Sequence, residues 1–325
     1  MLQLLDLEEW RSATAEEVAS AVRQIADRLA LTIGIASAPL PGTLDPLLDA
    51  LAVTLVNADA DNGDKRVVAM DNPRDGFARI SATVRRCPQA SVAAGQLLRQ
   101  TARLDTLRGL AAEAAVYSML LGGGEFAAWL AQRGAVRRES SPEPQPVLTT
   151  RDDQRLAIRL NRPDRRNAFS FAMREALYEA LEVAAVDDTI TAVDVSGAGP
   201  VFCSGGDLAE FGTATDLVAA YFVRLNRAPW LLIDQLADRI TIRIQGAAVG
   251  AGVEMAAFAG RLVAAEETFF RLPEVSMGLV PGAGGTVSIP RRVGRWRTAW
   301  LMLSGDRIDA ATALNWGLVD ALTKT

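Results

Sequence analysis

The sequence predicts an α/β protein with a C-terminal α/β module and a separate N-terminal half rich in helix. From residue 155 onward, strands, amphipathic helices and glycine-rich loops succeed one another in a repeating order. The stretch RRESSPEPQPVLTT (137–150) breaks the composition with three prolines, two serines and two glutamates, the signature of an extended linker. Residues 89–132 carry an almost continuous helical pattern, interrupted at Gly122, Gly123 and Gly124. The expected domains are therefore 1–138, a linker at 139–150, and 151–325.

Taken in order, residues 16–31 read as an amphipathic helix, 31–36 as a strand, 44–55 as a helix and 66–70 (RVVAM) as a short strand. Beyond the linker, RLAIRL (155–160) alternates as a half-buried strand does. NRPDRRNA (161–168) is a turn, after which Ser170 is placed to cap a helix bearing Met173, Leu177, Leu181 and Val183. AVDVS (192–196) is the next strand and leads into the glycine-rich GAGPVFCSGGDL. A polar helix, a strand at 240–244, the loop GAAVGAG and a helix over VEMAAFAG complete the pattern.

Composition removes whole classes of chemistry. The chain has 325 residues, half of them hydrophobic, and a net charge of −5, which disfavours nucleic acid and anionic membrane surfaces as partners. Its acidic start lacks the layout of a signal peptide, and the longest apolar run (244–259) contains Gln245 and Glu254 and is too short to span a bilayer. A cytoplasmic location is the expectation. The absence of histidine excludes Ser-His-Asp and Cys-His catalysis and histidine-held zinc. Cys87 and Cys203 cannot build a thiolate cluster and read as small buried hydrophobes, so no metal is expected. The two lysines, Lys65 and Lys324, sit in no apolar setting that would activate a Schiff base. Carboxylates and tyrosine remain to move protons.

Three segments have the residue types for that work. In VFCSGGDL (201–208), two glycines after a strand let backbone N–H groups approach a ligand, although a tight turn reads the same way. In GAAVGAGVEMAAFAG (246–260), glycines open an apolar helix whose one charge is Glu254. A buried carboxylate is costly without a partner, so Glu254 is either functional or paired with an arginine such as Arg243 or Arg261. In LPEVSMGLVPGAGGT (272–286), Glu274 follows a proline and precedes a glycine cluster that lacks the Gly-Lys pair of a P-loop; a solvated surface position fits it equally.

Together these segments resemble the enoyl-CoA hydratase/isomerase, or crotonase, superfamily. NRPDRRNA, VFCSGGDL, GAAVGAGVEMA, PEVSMGLVPGAGGTVSIPRRVG (273–294) and LSGDRIDAATALNWGLVDAL (303–322) stand in the family's order and spacing, over roughly half of the chain. The resemblance implies a ββα superhelical (spiral) core with a helical cap. It implies an acyl-CoA substrate, with coenzyme A as part of the thioester and no permanently bound cofactor. The thioester oxygen is expected between the N–H groups of Gly206 and Ala251, with Glu254 and Glu274 as acid and base. Ala168, Ser204, Asp207 and Leu208 map to the coenzyme A path, Arg166 with Arg162 and Arg165 toward its phosphates, and Gly282 to a second helix terminus near the catalytic water. Retention of both glutamates favours hydration; isomerisation or acyl-CoA hydrolysis on the same scaffold, or a non-catalytic acyl-CoA-binding subunit, are the alternatives. A homo-oligomer, a trimer or dimer of trimers, is expected from the family.

The sequence departs from the family pattern at Ala251, usually glycine, at Gly260, usually acidic, and after residue 322, where family members continue into several helices. Residues 87–138 resemble that missing tail: a helix with Glu113, a short break, then an aromatic helix ending in arginines. The expectation is a permuted chain in which the N-terminal half supplies the cap, with 1–80 as a reduced α/β segment.

Overall fold

The computed structural model describes residues 1–134 and 145–324. The N-terminal half contains β1 (Leu2–Asp6), α1 (Ala15–Ala26), β2 (Leu31–Ala36), α2 (Asp45–Ala50), β3 (Val53–Asn57), β4 (Val67–Met70) and four further helices, α3 (Pro73–Arg86), α4 (Pro88–Thr101), α5 (Thr106–Leu121) and α6 (Gly124–Arg133). Strands β1 to β4 form a parallel sheet in sequence order. Local chemistry sets the boundaries: Thr14 and Glu17 close a capping box on α1, and prolines open α3 and α4 where the missing N–H costs nothing. The helix expected over 44–55 ends at Ala50, and Val53–Asn57 is instead a strand. Strand β1 was not foreseen. The misreading of β3 has a physical cause: a strand inside a parallel sheet is apolar on both faces, so an apolar run has no period-two signal to separate it from a helix.

The C-terminal half contains β5 (Val147–Asp152), β6 (Arg155–Leu160), α7 (Phe171–Val186), β7 (Ala192–Gly197), α8 (Leu217–Asn226), α9 (Pro229–Gln235), β8 (Ile240–Ile244), β9 (Ala247–Val249) and α10 (Ala251–Ala256). It continues through β10 (Arg261–Ala265), β11 (Phe269–Arg271), α11 (Gly285–Ser304, kinked at Gly294), β12 (Ile308–Asp309), α12 (Ala310–Trp316) and β13 (Ala321–Thr323). A six-stranded sheet runs β13-β10-β8-β7-β6-β5, parallel except for β5, and a three-stranded sheet runs β12-β11-β9. The α/β class is as expected. The linker is shorter than expected: residues 147–150 belong to β5, while 139–144 lie outside the described residues. Ser170 caps α7 by accepting from Met173 N–H, and Met173, Leu177 and Leu181 are buried; Val183 faces solvent and Ala184 takes its place.

One contiguous core crosses both halves, from Leu31, Ile33 and Leu55 through Leu97 and Phe126 to Phe202, Phe270 and Trp300. Helix α11 is the bridge, packing against α3, α4, β3 and β4. Polar ties reinforce it: Trp296 Nε1 donates to Leu48 O (3.0 Å), Lys65 Nζ to Arg292 O (3.1 Å) and Thr101 Oγ1 to Thr286 O (2.6 Å). Among the described residues no single helix is long and apolar enough to cross a membrane.

Candidate active site

The site begins where β9 gives way to α10. Gly250 makes the turn with φ 49° and ψ −123°, a conformation that residues with a Cβ rarely adopt. Ala251 is the first helical residue, so its N–H has no carbonyl partner within the helix, and Glu254 follows one turn later. The 203–207 loop is stitched alongside: Cys203 N–H donates to Ala247 O, Val249 N–H to Cys203 O, Phe169 N–H to Gly205 O and Asp207 N–H to Phe169 O, at 2.8–3.2 Å. This ladder passes over Gly206. Among the described residues neither Gly206 N–H nor Ala251 N–H is hydrogen bonded within the chain, and both residues line one cavity of about 680 Å³.

Glu254 and Glu274 line the same cavity. Both are buried, so the solvated position considered for Glu274 is not the one it takes. They flank Gly250: a Cβ built there would stand 2.3 Å from Glu274 Oε1 and 3.8 Å from Glu254 Oε1. Neither arginine considered as a structural partner answers to Glu254: Arg243 pairs with Asp194 (3.6 Å), and Arg261 is exposed. Glu254 Oε2 instead accepts from Ala283 N–H (2.7 Å) and Gly285 N–H (3.1 Å) at the amino end of α11. Burial pushes its pKa up to about 7, against the pull of those two N–H donors and the charge of Arg224. Glu274 is raised well above the usual range by burial and then by the Glu254 charge, and its Oε2 is sealed from solvent with no hydrogen-bond partner. One carboxyl is thus prepared to ionise and the other to hold its proton.

A third buried carboxyl shares the helix end. Glu113 of α5 accepts from Gly284 N–H (2.6 Å) through Oε1, and from Thr286 N–H (2.8 Å) and Thr286 Oγ1 (2.7 Å) through Oε2. The four successive N–H groups 283–286 therefore alternate, two to Glu254 and two to Glu113. Burial and the Glu254 charge raise the Glu113 pKa, while the Thr286 and Gly284 donors draw it back. Tyr117, one helical turn beyond Glu113, also lines the cavity and packs against Gly282, where a Cβ would stand 2.5 Å from the ring. Sequence reasoning named Glu113 only as part of the helical tail and missed Tyr117. The signal that singled out Glu254, one acid in a helix of small apolar residues, is equally present in GLAAEAAVYSML.

The other expected residues divide. Asp207 and Gly282 line the cavity; Ala168, Ser204, Leu208 and Arg166 do not. Arg162 is buried and tied to Ala168 O (2.7 Å) and Asp207 Oδ2 (3.0 Å), so it braces the turn instead of standing free for a phosphate. Arg166 is exposed in a left-handed conformation (φ 52°), and its carbonyl accepts from Ser204 N–H. Leu208 is 40% exposed, with its carbonyl held by Arg133 of α6 at 2.6 Å. Cys203 is buried, its thiol pushed up to about 12 by burial and so kept from nucleophilic use.

The family model described as Enoyl-CoA hydratase/isomerase matches residues 152–324. The 2,3-dehydroadipyl-CoA hydratase of Escherichia coli (strain K12) is 35% identical over 173 residues, covering 53% of this chain and 67% of the relative. The 1,2-epoxyphenylacetyl-CoA isomerase of the same organism is 34% identical, covering 50% and 64%. The chain thus spans about two thirds of the length of these relatives. The crystal structure of enoyl-CoA hydratase from Thermoplasma volcanium GSS1 aligns with a TM-score of 0.52 at 30% identity, over 56% of this chain and 73% of that one.

Proposed function

Because the chain belongs to the enoyl-CoA hydratase/isomerase family, we propose that its cavity hydrates a 2,3-enoyl thioester of coenzyme A. The observation that carries this reading is the pair of buried carboxyls on either side of Gly250, in one cavity with two unbonded backbone N–H groups. In this reading the thioester oxygen lies between Gly206 N–H and Ala251 N–H. Glu254 takes a proton from water as its oxygen bonds to C3, and the electron pair of the 2,3 double bond moves to the thioester oxygen as an enolate. Glu274 then delivers its proton to C2 as the enolate collapses, so that water has added across the double bond and one proton has passed from Glu274 to Glu254. The two N–H groups act where charge develops, and a donor of this kind contributes about 3–4 kcal/mol to a comparable transition state. Helices α4 to α6 serve as the cap of the acyl site, an inference supported by Tyr117 and Leu121 at the cavity, by Glu113 on the amino end of α11 and by Arg133 on the 204–208 loop.

Incubation with crotonyl-CoA tests the reading. Hydration removes the enone absorbance; isomerisation of a 3-enoyl-CoA creates it; hydrolysis releases a free thiol. Isomerisation is the second reading, favoured by the unpartnered Glu274 Oε2, an oxygen with no competing donor. The expected rate of hydration rises with pH through about 7, as Glu254 loses its proton, and falls at higher pH where Glu274 loses the proton it must give. A profile flat across roughly pH 6–8 contradicts this division of roles.

Gly250→Ala is expected to cut turnover about 100-fold, because its Cβ displaces the Glu274 carboxyl and misplacement on the order of 1 Å has that effect. Steady-state rates on crotonyl-CoA, with thermal melting to confirm the fold, check it; unchanged turnover argues against Glu274 acting at its observed position.

A further inference from the structure

The cavity holds a cation that the hydration chemistry does not use. Arg224 of α8 lines it, with the guanidinium carbon 3.8 Å above the centroid of the Tyr117 ring. Its Nε is sealed from solvent without a hydrogen-bond partner, and among the described residues Arg224 forms no ion pair. Apart from Glu274, whose Oε2 is also unpartnered, the other charged groups of the lining are engaged. Arg174 is held by Glu175 (2.8 Å), Asp207 by Arg162 (3.0 Å), and Glu210 accepts from Phe171 N–H (2.9 Å). Asp216 caps α8 through Val218 N–H and Ala219 N–H, and Glu254 is satisfied at Oε2 by the end of α11.

An unmatched, half-buried guanidinium is unfavourable until something with complementary charge arrives. Stacking on Tyr117 fixes the plane of the group while leaving its in-plane donors unspent, the arrangement in which arginine receives a carboxylate in bidentate fashion. Tyr117 is itself wedged against Gly282, so the platform is rigid at the catalytic end. We propose that Arg224 is the specificity residue of this cavity and that the acyl group it selects ends in a carboxylate. The proposal rests on the reading of the cavity as an acyl-CoA site and adds the class of acyl group. A rival role, counter-ion to Glu254, lacks direct contact: no ion pair joins the two, and the influence of Arg224 there is through space.

The test compares hexanoyl-CoA with its ω-carboxylate counterpart adipyl-CoA, saturated thioesters of one length that bind without reacting, by titration calorimetry. The wild-type protein is expected to bind the dicarboxylic thioester roughly 10- to 100-fold more tightly. In Arg224→Met that ratio is expected to fall to near one, and Arg224→Lys to recover part of it. A wild-type ratio of one or below overturns the proposal, as does a ratio that survives in Arg224→Met. Hydration of the matching 2,3-unsaturated pair separates the two ideas. Selective binding with no turnover of either enoyl thioester refutes hydration and leaves Arg224 in its role; turnover with no selectivity does the reverse. Should Arg224→Met fail to fold, the wild-type ratio and Arg224→Lys still decide.

Discussion

Glu254→Gln is expected to lower the turnover of crotonyl-CoA by roughly 10²- to 10⁴-fold with little change in thermal stability. The substitution is nearly isosteric, and the glutamine carbonyl oxygen can still accept from Ala283 and Gly285 N–H as the carboxylate does. What it cannot do is take a proton from water. The burial that raises the Glu254 pKa to about 7 tunes the group to receive a proton near neutral pH, and an amide forfeits that property. Two unbonded N–H groups remain in the variant, so substrate binding is expected to persist and KM to move less than kcat. Loss of enone absorbance under saturating substrate is the measurement. Retention of more than about a tenth of wild-type turnover would sink the assignment of Glu254 as the base.

The second large effect concerns stability. Glu113→Ala strips acceptors from Gly284 N–H, Thr286 N–H and Thr286 Oγ1, all buried. Each orphaned donor costs about 1–3 kcal/mol, offset in part because a buried carboxyl, itself costly to bury, is removed with it. The expected net loss is about 2–4 kcal/mol in urea unfolding, shown as a lower midpoint at unchanged slope. The pH profile supplies an independent sign. Glu254 ionises near 7 while Glu113, raised to about 8, still holds its proton, so the rising limb of activity is expected to stay in place. A limb that moves to lower pH contradicts this order of ionisation.

Much of the catalytic half was legible because its chemistry is local. Glu254 betrayed itself as a lone charge in VEMAAFAG, and the glycines around it announced backbone conformations that only glycine adopts cheaply. The alternation in RLAIRL and the serine before α7 gave a strand and a helix start at their observed places. What escaped was set by distant partners. Nothing in NRPDRRNA says that Arg162 turns inward to Asp207 while Arg166 turns out, since that depends on a loop 45 residues later. Strand β3 escaped because a strand covered on both faces loses the alternation by which strands are read. Tyr117 and Arg224 were invisible as a pair, because each belongs to an ordinary amphipathic helix and only the packing of α5 on α8 stacks them.

The hydrogen bond from Gly284 N–H to Glu113 closes a loop of 171 residues. Contacts so remote in sequence form late, after the chain entropy of the intervening segment has been surrendered. During synthesis, Glu113 is made long before the helix end it must hold, and each lies on a segment that can begin folding without the other. A growing chain that has passed Glu113 therefore holds one half of this contact until Gly284 follows, so the carboxyl and the helix end that share the site are brought together by order of synthesis.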